Sequence, residues 1–336
     1  MEIQGLKMVN KDIQFSLWLD FVERDYLKNE FSALIENGTI NGATSNPAIF
    51  ASAITTSPAY AEQLASLEGK SPKEKYEALA IEDIRTAAQA LRGCYDAGND
   101  GYISIEVDPF LSNDTQGTIE EGKRLFSTIN EPNVMVKVPA TEAGYEAMTK
   151  LLCHGISVNA TLIFSPKQAQ KCLKAMKKGM EKYEATGGGR VDAVISVFVS
   201  RFDRLLDKDL QSEALDISKT GIYNAGKIYN LIENAHMPSI RTLFASTGVK
   251  GDALAPDYYM QELLASHSVN TAPLATIEAY KKPQAPKLPI DDAIINGYFT
   301  KLSDNGFDMD EIYAQLLKDG LSSFEQAFGE MLESLV

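Results

Sequence analysis

The sequence is poor in cysteine and has no long apolar run. Its three cysteines, Cys94, Cys153 and Cys172, show no CxxC spacing and are too few for a disulfide framework, which favours a reducing compartment. No run approaches the roughly 18 apolar residues of a transmembrane helix, and residues 1–7 lack the apolar core of a secretory signal. We therefore expect a cytoplasmic protein that does not enter the membrane.

Histidine and positive charge are also scarce. The three histidines, His154, His236 and His267, do not lie at ligand spacing from one another, which argues against a histidine-based metal centre and a Ser-His-Asp triad. The formal net charge is −14, and this argues against nucleic-acid or anionic-membrane binding, because both need a basic surface. An anionic substrate would therefore need a local cluster of donors.

What the sequence does contain is an alternation of short β-type runs with longer helical stretches. Such an alternation predicts a parallel (β/α)₈ TIM barrel of the α/β class rather than separate sheet and helix layers. The eight predicted strands are residues 13–20, 42–46, 102–108, 133–140, 156–164, 193–199, 242–246 and 268–271.

Several helix starts carry capping signals. Residues 71–74 and 165–168 each combine a serine, a proline at the first helical position and a side-chain acceptor at the third, and residues 118–121 predict a third capping box. The six lysines between positions 167 and 182 alternate with apolar residues at helical spacing. We interpret them as the solvated face of an outer barrel helix rather than a nucleic-acid or membrane helix.

Two regions exceed a minimal barrel. Residues 51–100 have enough helical pattern for at least two helices between the second and third strands. Residues 281–289 form a proline-rich connection to the amphipathic tail 309–336. We expect one domain over residues 1–336, with residues 290–336 packed on the barrel as a C-terminal helical extension.

One charged side chain interrupts an apolar strand. Lys137 stands between Val136 and Val138, in a run that reads as buried. A buried lysine lowers its pKa, finds a partner or points into a cavity, and a desolvated neutral amine attacks carbonyl carbons to form a Schiff base. The alternative is a strand-end lysine whose ammonium group reaches solvent.

Polar residues recur where the predicted strands end, which is where barrel enzymes carry their active groups. Each alone has a structural explanation: Asp20 as a helix cap, Asn46 as a turn residue, Glu106 as an ion-pair partner of the lysine, and Thr161 and Ser196 as back-bonding strand residues. Their convergence on one barrel mouth favours a polyhydroxylated ligand instead, because buried polar groups need partners.

Several segments in collinear order resemble the transaldolase family. The run 42–50, Gly-Ala-Thr-Ser-Asn-Pro-Ala-Ile-Phe, resembles the family's N-terminal motif, and the run 134–141 resembles its Schiff-base lysine motif. The spacing is most similar to the longer bacterial and plant subgroup. Further similarity covers residues 16–20, 105–108, 158–164, 196–201, 245–248 and 269–273.

The resemblance implies a pentose phosphate pathway transferase without cofactor or metal. It would move a dihydroxyacetone unit from sedoheptulose 7-phosphate to glyceraldehyde 3-phosphate, giving erythrose 4-phosphate and fructose 6-phosphate. Lys137 would form the imine with the ketose. Asp20 would take the proton of the C4 hydroxyl, and Glu106 with Thr161 would handle proton transfers through a water during imine formation.

The resemblance also implies substrate-binding roles. Asn46, Asn159 and Ser196 match positions that bind hydroxyls of the dihydroxyacetone part. Arg201 and Ser246 match phosphate contacts, and a guanidinium suits a phosphate physically.

This chain departs from the family near the phosphate site. The basic residue that many members place two positions after Ser246 is Gly248 here. Lys250, two residues further on, is a candidate phosphate contact, although an ordinary surface-loop lysine is the alternative. Arg204 is a rival phosphate ligand. The family's usual larger apolar residue before Pro273 is alanine in this chain, for which the sequence offers no explanation.

Three alternatives stay open. A class I aldolase in the same fold would release free dihydroxyacetone, and a non-catalytic barrel would only bind sugar phosphates. Glu106 and Asp108 are also a conceivable divalent-metal pair, which the scarcity of histidine and the nearby lysine disfavour. The oligomeric state, monomer or homodimer, is not determined.

Overall fold

The eight strands close into a parallel barrel. The structure is a computed structural model that describes residues 9–280 and 285–336. Each strand pairs with its sequence neighbours, and β8 pairs with β1 to complete the circle, so the predicted (β/α)₈ barrel is confirmed. The strands are β1 (Ser16–Asp20), β2 (Gly42–Thr44), β3 (Ile103–Glu106), β4 (Val134–Pro139), β5 (Ser157–Ile163), β6 (Ala193–Phe198), β7 (Ile240–Ala245) and β8 (Ser268–Ala272).

Helices connect the strands and cover the outside of the barrel. Three helices follow β2, in agreement with the pattern over residues 51–100. In the described ranges the α-helices are α1 (Arg24–Glu36), α2 (Pro47–Thr56), α3 (Ala61–Ser66), α4 (Pro72–Asp96), α5 (Thr115–Ile129), α6 (Glu142–Cys153), α7 (Pro166–Glu184), α8 (Ser200–Ser212), α9 (Thr220–Glu233), α10 (Tyr258–Glu262), α11 (Leu274–Ala279), α12 (Asp292–Asp304) and α13 (Met309–Ser334). Short 3₁₀ turns cover Pro58–Tyr60 and Pro109–Leu111.

Some strand boundaries differ from the prediction. The first strand begins at Ser16, because Gln14 has a left-handed backbone with φ of 55° and Phe15 pairs with Asn10 in an antiparallel bridge. The sixth strand, predicted over residues 193–199, ends one residue earlier, at Phe198. Arg201 lies beyond the strand, in the first turn of α8.

Two of the three predicted capping boxes are confirmed. Ser71 and Ser165 each accept from the third helical amide while that residue's side chain accepts from the serine amide. The third prediction was wrong. α5 begins at Thr115, with Asp114 as its N-cap, and the Thr118 hydroxyl donates to the carbonyl of Leu111, which precedes the helix. The acidic residue closer to the helix start provides the cap.

α7 is an outer helix, as its periodicity indicated. It buries Cys172 and Met176 against the barrel, while its lysines lie on the solvent side. The proline-rich connection falls partly outside the described residues, at 281–284. Within the described ranges, no helix is long and apolar enough to cross a bilayer.

The last helix lies over the C-terminal end of the barrel. α13 packs mainly on α2 and also contacts α4 and β5. Its Phe328 ring makes edge-to-face contact with the rings of Tyr76 and Phe110. Leu316 and Phe324 join the cluster that fills the barrel interior. The helix therefore closes part of the opening at which the strands end.

Candidate active site

The strand register places a carboxylate, an amine and an amide side by side. Glu106 on β3 is paired with Lys137 on β4, and Lys137 is paired with Asn159 on β5. Residues opposite one another on neighbouring strands project to the same face, which here is the barrel interior. The prediction that these groups would converge therefore has a simple geometric basis.

The Lys137 ammonium group is enclosed rather than directed to solvent. The residue is 6% exposed. Its Nζ lies 3.2 Å from Glu106 Oε2 and donates to the Ser45 carbonyl at 3.1 Å. The ring centroid of Phe324, on α13, lies 5.6 Å from Nζ. The alternative of a strand-end lysine whose ammonium group reaches solvent is therefore excluded.

A cavity of about 200 Å³ opens above the lysine at the C-terminal end of the barrel. A larger hollow of about 400 Å³ lies at the opposite end, but its Asp100 and Arg241 are already paired at 2.8 Å. Seven of the predicted site residues line the smaller cavity. Its full lining is Asp20, Thr44, Asn46, Ala48, Lys137, Thr161, Ser196, Phe198, Arg201, Ala245, Ser246, Thr271, Ser323 and Phe324.

Glu106 lies directly beside the lysine and is 5% exposed. Its separation from Nζ is that of an ion pair, yet neither carboxylate oxygen accepts a well-aligned hydrogen bond from the described residues. Burial raises the pKa of Glu106 to about 7, although the charge of Lys137 opposes this rise. A carboxyl group with this pKa can both give and accept a proton near neutral pH.

Asp20 occupies the end of β1 and has a different environment. The Thr44 hydroxyl donates to Asp20 Oδ1 at 2.7 Å. Burial raises the pKa of Asp20, while the charge of Lys137 and the hydrogen bond from Thr44 lower it. The helix-cap explanation does not apply, because Glu23 caps α1 by accepting from Tyr26 N. The two carboxyl groups thus differ in partners, as divided acid and base roles require.

β5 supplies an amide and an unpartnered hydroxyl. The Ser196 hydroxyl donates to Asn159 Oδ1 at 2.6 Å, and Asn159 Nδ2 donates to Ser104 Oγ at 3.0 Å. Thr161 is fully buried, and its Oγ1 has no hydrogen-bond partner in the described part of the chain. A buried polar atom beside a cavity is normally satisfied by a ligand or a water.

The backbone is irregular where Thr161 projects. The pairing of β5 with β6 shifts register between Ala160 and Ile163, and Leu162 has a φ of 58°. Irregularities of this kind redirect side chains and are common beside active sites.

Asn46 has a structural role as well as a place in the cavity. It is the N-cap of α2, and its Oδ1 accepts from Ile49 N at 3.0 Å. The side-chain amide nitrogen is left to donate to a ligand. Asn46 is therefore more than a turn residue, because the cap fixes the side chain that faces the cavity.

Arg201 and Ser246 lie at one edge of the cavity. No carboxylate forms an ion pair with Arg201 among residues 9–280 and 285–336, and its guanidinium lies 5.3 Å from the Phe198 ring centroid. Burial and the neighbouring charge of Arg204 lower the pKa of Arg201. Ser246 has a left-handed φ of 55°, and its Oγ lies 3.0 Å from that of Ser200. This edge is suited to an anion.

The other two candidate phosphate ligands, Lys250 and Arg204, are not placed in the cavity wall as Arg201 is. Lys250 and Arg204 are both exposed, and neither lines the cavity. The structure brings Arg201, but not these two side chains, to the cavity wall.

Seven cavity residues were not identified from the sequence: the apolar Ala48, Phe198 and Ala245, and also Thr44, Thr271, Ser323 and Phe324. Thr44 and Thr271 lie inside segments that resemble the family, but nothing in the sequence distinguished them. Ser323 and Phe324 come from α13. Helical periodicity indicated which tail residues are apolar, but not which of them reach the barrel opening.

The alternative metal pair is divided between two networks. Asp108 Oδ2 lies 2.6 Å from Lys73 Nζ, and Asp108 Oδ1 accepts from Phe110 N at 2.9 Å. Glu106 instead faces Lys137. In the described residues, no group of three or more His, Cys, Asp or Glu side chains is placed to hold a metal ion.

Comparison with known proteins identifies the family. A sequence model described as Transaldolase/Fructose-6-phosphate aldolase matches residues 17–335. A transaldolase of Campylobacter jejuni (strain 81-176) is 47% identical over 330 residues, covering 96% of this chain and 99% of that protein. A transaldolase of Helicobacter pylori (strain P12) is 44% identical over 328 residues, covering 96% and 99% respectively. The prediction from the sequence motifs is confirmed: the chain belongs to the transaldolase/fructose-6-phosphate aldolase family.

Proposed function

We propose that this enzyme transfers a three-carbon dihydroxyacetone unit from sedoheptulose 7-phosphate to glyceraldehyde 3-phosphate through a Schiff base on Lys137. One observation carries the proposal. The Lys137 amine lines a cavity at the C-terminal end of the barrel and lies near two carboxyl groups, Asp20 and Glu106, whose surroundings differ. Such an arrangement provides a nucleophile together with a separate acid and base.

Imine formation uses Lys137 and Glu106. The neutral amine attacks the C2 carbonyl carbon of the ketose and gives a carbinolamine. Glu106, at 3.2 Å from Nζ, begins in its protonated form and, through a water held by Thr161, protonates the oxygen that was the carbonyl. Its carboxylate then accepts the proton released from nitrogen and passes that proton through the same water to the departing C2 hydroxyl. Water leaves, and a protonated imine remains. A pKa of about 7 for Glu106 suits this exchange near neutral pH.

Carbon–carbon cleavage uses Asp20. Its carboxylate takes the proton of the C4 hydroxyl while the C3–C4 bond breaks and the bonding electrons move to the imine nitrogen. Erythrose 4-phosphate leaves, and an enamine of three carbons stays on Lys137. The enamine carbon then attacks the aldehyde of glyceraldehyde 3-phosphate, Asp20 returns its proton to the new hydroxyl, and hydrolysis releases fructose 6-phosphate.

The remaining cavity residues bind and shield the substrate. We assign the hydroxyls of the retained unit to Asn46 and Ser196 in the cavity wall and to Asn159, which is hydrogen-bonded to Ser196. The enamine must be protected from protonation while it waits for the acceptor. Phe324 covers Lys137 from the side of α13. We assign the phosphate to Arg201 and Ser246, since they form the cationic edge of the cavity.

The proposal also covers the cellular compartment, the partners and the oligomeric state of the enzyme. We propose a cytoplasmic enzyme, because Cys94, Cys153 and Cys172 are free thiols, whose persistence suits a reducing compartment. Its partners are sugar phosphates rather than nucleic acid or membranes, it needs no cofactor, and it is a monomer or a homodimer.

Borohydride reduction in the presence of fructose 6-phosphate tests the proposal. Peptide mass mapping should find a reduced three-carbon adduct on Lys137 and on no other lysine. Lys137→Met should abolish both the adduct and erythrose 4-phosphate-dependent transfer. The matched control, Lys167→Met on the exposed face of α7, should retain both.

Three results would contradict the proposal. Transfer above a tenth of wild type in Lys137→Met would mean that another group is the nucleophile. Trapping on Lys137 with release of free dihydroxyacetone, but without transfer to an aldose phosphate, would identify an aldolase instead. Binding of sugar phosphate without any adduct would indicate a non-catalytic barrel.

A further inference from the structure

Asp20, at the end of β1, is hydrogen-bonded to a chain of two threonine hydroxyls, one from each neighbouring strand. Thr44 Oγ1 lies 2.7 Å from Asp20 Oδ1 and 2.6 Å from Thr271 Oγ1. Thr44 is the register partner of Asp20 on β2, whereas Thr271 lies on β8 opposite Trp18. Since β2 and β8 flank β1, the chain of hydroxyls crosses the end of β1. Both threonines line the cavity.

The direction of these hydrogen bonds follows from proton counting. An ionised carboxylate only accepts, and each hydroxyl has a single proton to donate. The Thr44 proton is therefore directed to Asp20, and the short contact with Thr271 requires the Thr271 proton to be directed to Thr44. In this arrangement the second hydroxyl strengthens the first as a donor, because donating groups in a chain polarise one another.

We infer that Thr44 and Thr271 are positioning residues that hold Asp20 ionised and oriented, with Oδ2 free to take the proton of the substrate's C4 hydroxyl. This inference rests on the proposed function, in which Asp20 is the base for cleavage. Neither threonine contacts the reacting atoms in this assignment. They act through Asp20.

The surroundings of Asp20 explain why its ionised form needs the hydrogen bonds from the threonine hydroxyls. Burial alone would favour the protonated carboxyl, which cannot act as the base. The charged or titratable groups that face Asp20 are Lys137 on β4 and Glu106 on β3, and Arg201 of α8 lines the same cavity. The Lys137 nitrogen is uncharged as the attacking amine and again as the enamine, and it carries a positive charge as the protonated imine. The hydroxyl chain is then a stabilising contact that does not depend on the state of the lysine.

The alternative is that Thr44 and Thr271 have a purely structural role, in which their hydrogen bond only links β2 to β8. That role predicts a loss of stability when either hydroxyl is removed, but no change in the pH dependence of turnover. The positioning role predicts a change in the acid limb of the kcat–pH profile, the part in which kcat falls as the pH is lowered. This limb should move to higher pH when the hydroxyl is removed. Valine keeps the shape of threonine without the hydroxyl, and serine keeps the hydroxyl.

The experiment compares kcat and KM over pH 5–9 for the full-length wild type and four variants. Thr44→Val should lower kcat about 10- to 100-fold, the loss typical of a hydrogen bond to a charged group. Its KM should stay within about threefold of wild type, and its acid limb should move to higher pH. Thr271→Val should show a smaller loss of about 3- to 10-fold, since it acts one bond further away. Thr271→Ser should restore kcat to within about twofold.

Thr242→Val is the matched control. Thr242 is a fully buried threonine on β7 whose hydroxyl has no hydrogen-bond partner in the described residues and does not line the cavity. This variant should leave kcat and the acid limb unchanged.

The results separate the inference from the proposed function on which it rests. Borohydride trapping of Lys137 should persist in every variant, since imine formation does not use Asp20. Normal trapping with an unmoved acid limb in Thr44→Val, or equal losses in Thr242→Val, would overturn the inference and leave the proposed function standing. Absence of trapping in the wild type would overturn both.

Discussion

Replacing Glu106 by glutamine should make the protein more stable at alkaline pH but not at acid pH. The carboxyl group is 5% exposed and accepts no well-aligned hydrogen bond from the described residues. Burial raises its pKa from 4.5 to about 7. The folded state thus disfavours the charged form, and glutamine has nearly the same shape without the charge.

The magnitude follows from this difference in pKa. A shift from 4.5 to about 7, at about 1.36 kcal/mol per unit, corresponds to about 3 kcal/mol. Because the folded pKa is the higher one, this stability is fully present below about pH 4.5 and is lost as the pH rises through 7. The advantage of Glu106→Gln over wild type should therefore grow by about 3 kcal/mol between pH 4.5 and pH 8.

Urea unfolding followed by circular dichroism at both pH values measures this difference. Subtracting the wild-type curve removes other titrating groups, such as Asp203, whose pKa burial raises to about 6. Glu120→Gln, an exposed substitution on α5, is the control and should change stability equally at both pH values. An increase below about 1 kcal/mol for Glu106→Gln would refute the reasoning.

Three further predictions concern the edge of the cavity. Arg201→Ala should raise KM for sugar phosphates at least about tenfold, the loss expected for a charged hydrogen bond. The same kinetics on Lys250→Ala, an exposed side chain, should show a change below about threefold, and equal effects would contradict our assignment of the phosphate site. Gly320→Ala should lose activity, because a Cβ there would lie 3.0 Å from a leucine side chain of β5. In Gly329→Ala, on the same helix, the new Cβ would meet only an ordinary contact at 3.8 Å. This control variant should increase the free energy of unfolding in urea by about 0.5–1 kcal/mol. A comparable increase in Gly320→Ala, without loss of activity, would show that α13 is not closely packed at Gly320. Phe324→Leu should increase the ratio of free dihydroxyacetone to transfer product, measured by coupled assays, and an unchanged ratio would contradict the shielding role.

The sequence alone determined the strands, the barrel and the chemical types at the strand ends. Parallel strands buried on both faces appear as short apolar runs between helices, so Lys137 was conspicuous as a charged residue with valine on both sides. The boundary of the sixth strand was less well determined. The apolar pattern placed its end at residue 199, whereas β6 ends at Phe198 and α8 begins at Ser200, and a boundary of this kind depends on packing.

The tertiary structure alone decided which groups meet and in what state. A pKa of about 7 for Glu106 depends on burial and on the charge of Lys137 on the neighbouring strand, neither of which a sequence displays. Thr44 and Thr271 are 227 positions apart in the chain and 2.6 Å apart in space. Phe324 reaches Lys137 only because α13 lies across the opening. Local sequence fixes periodicity, whereas barrel closure and long-range packing set these distances, and the chemistry proposed for this enzyme depends on them.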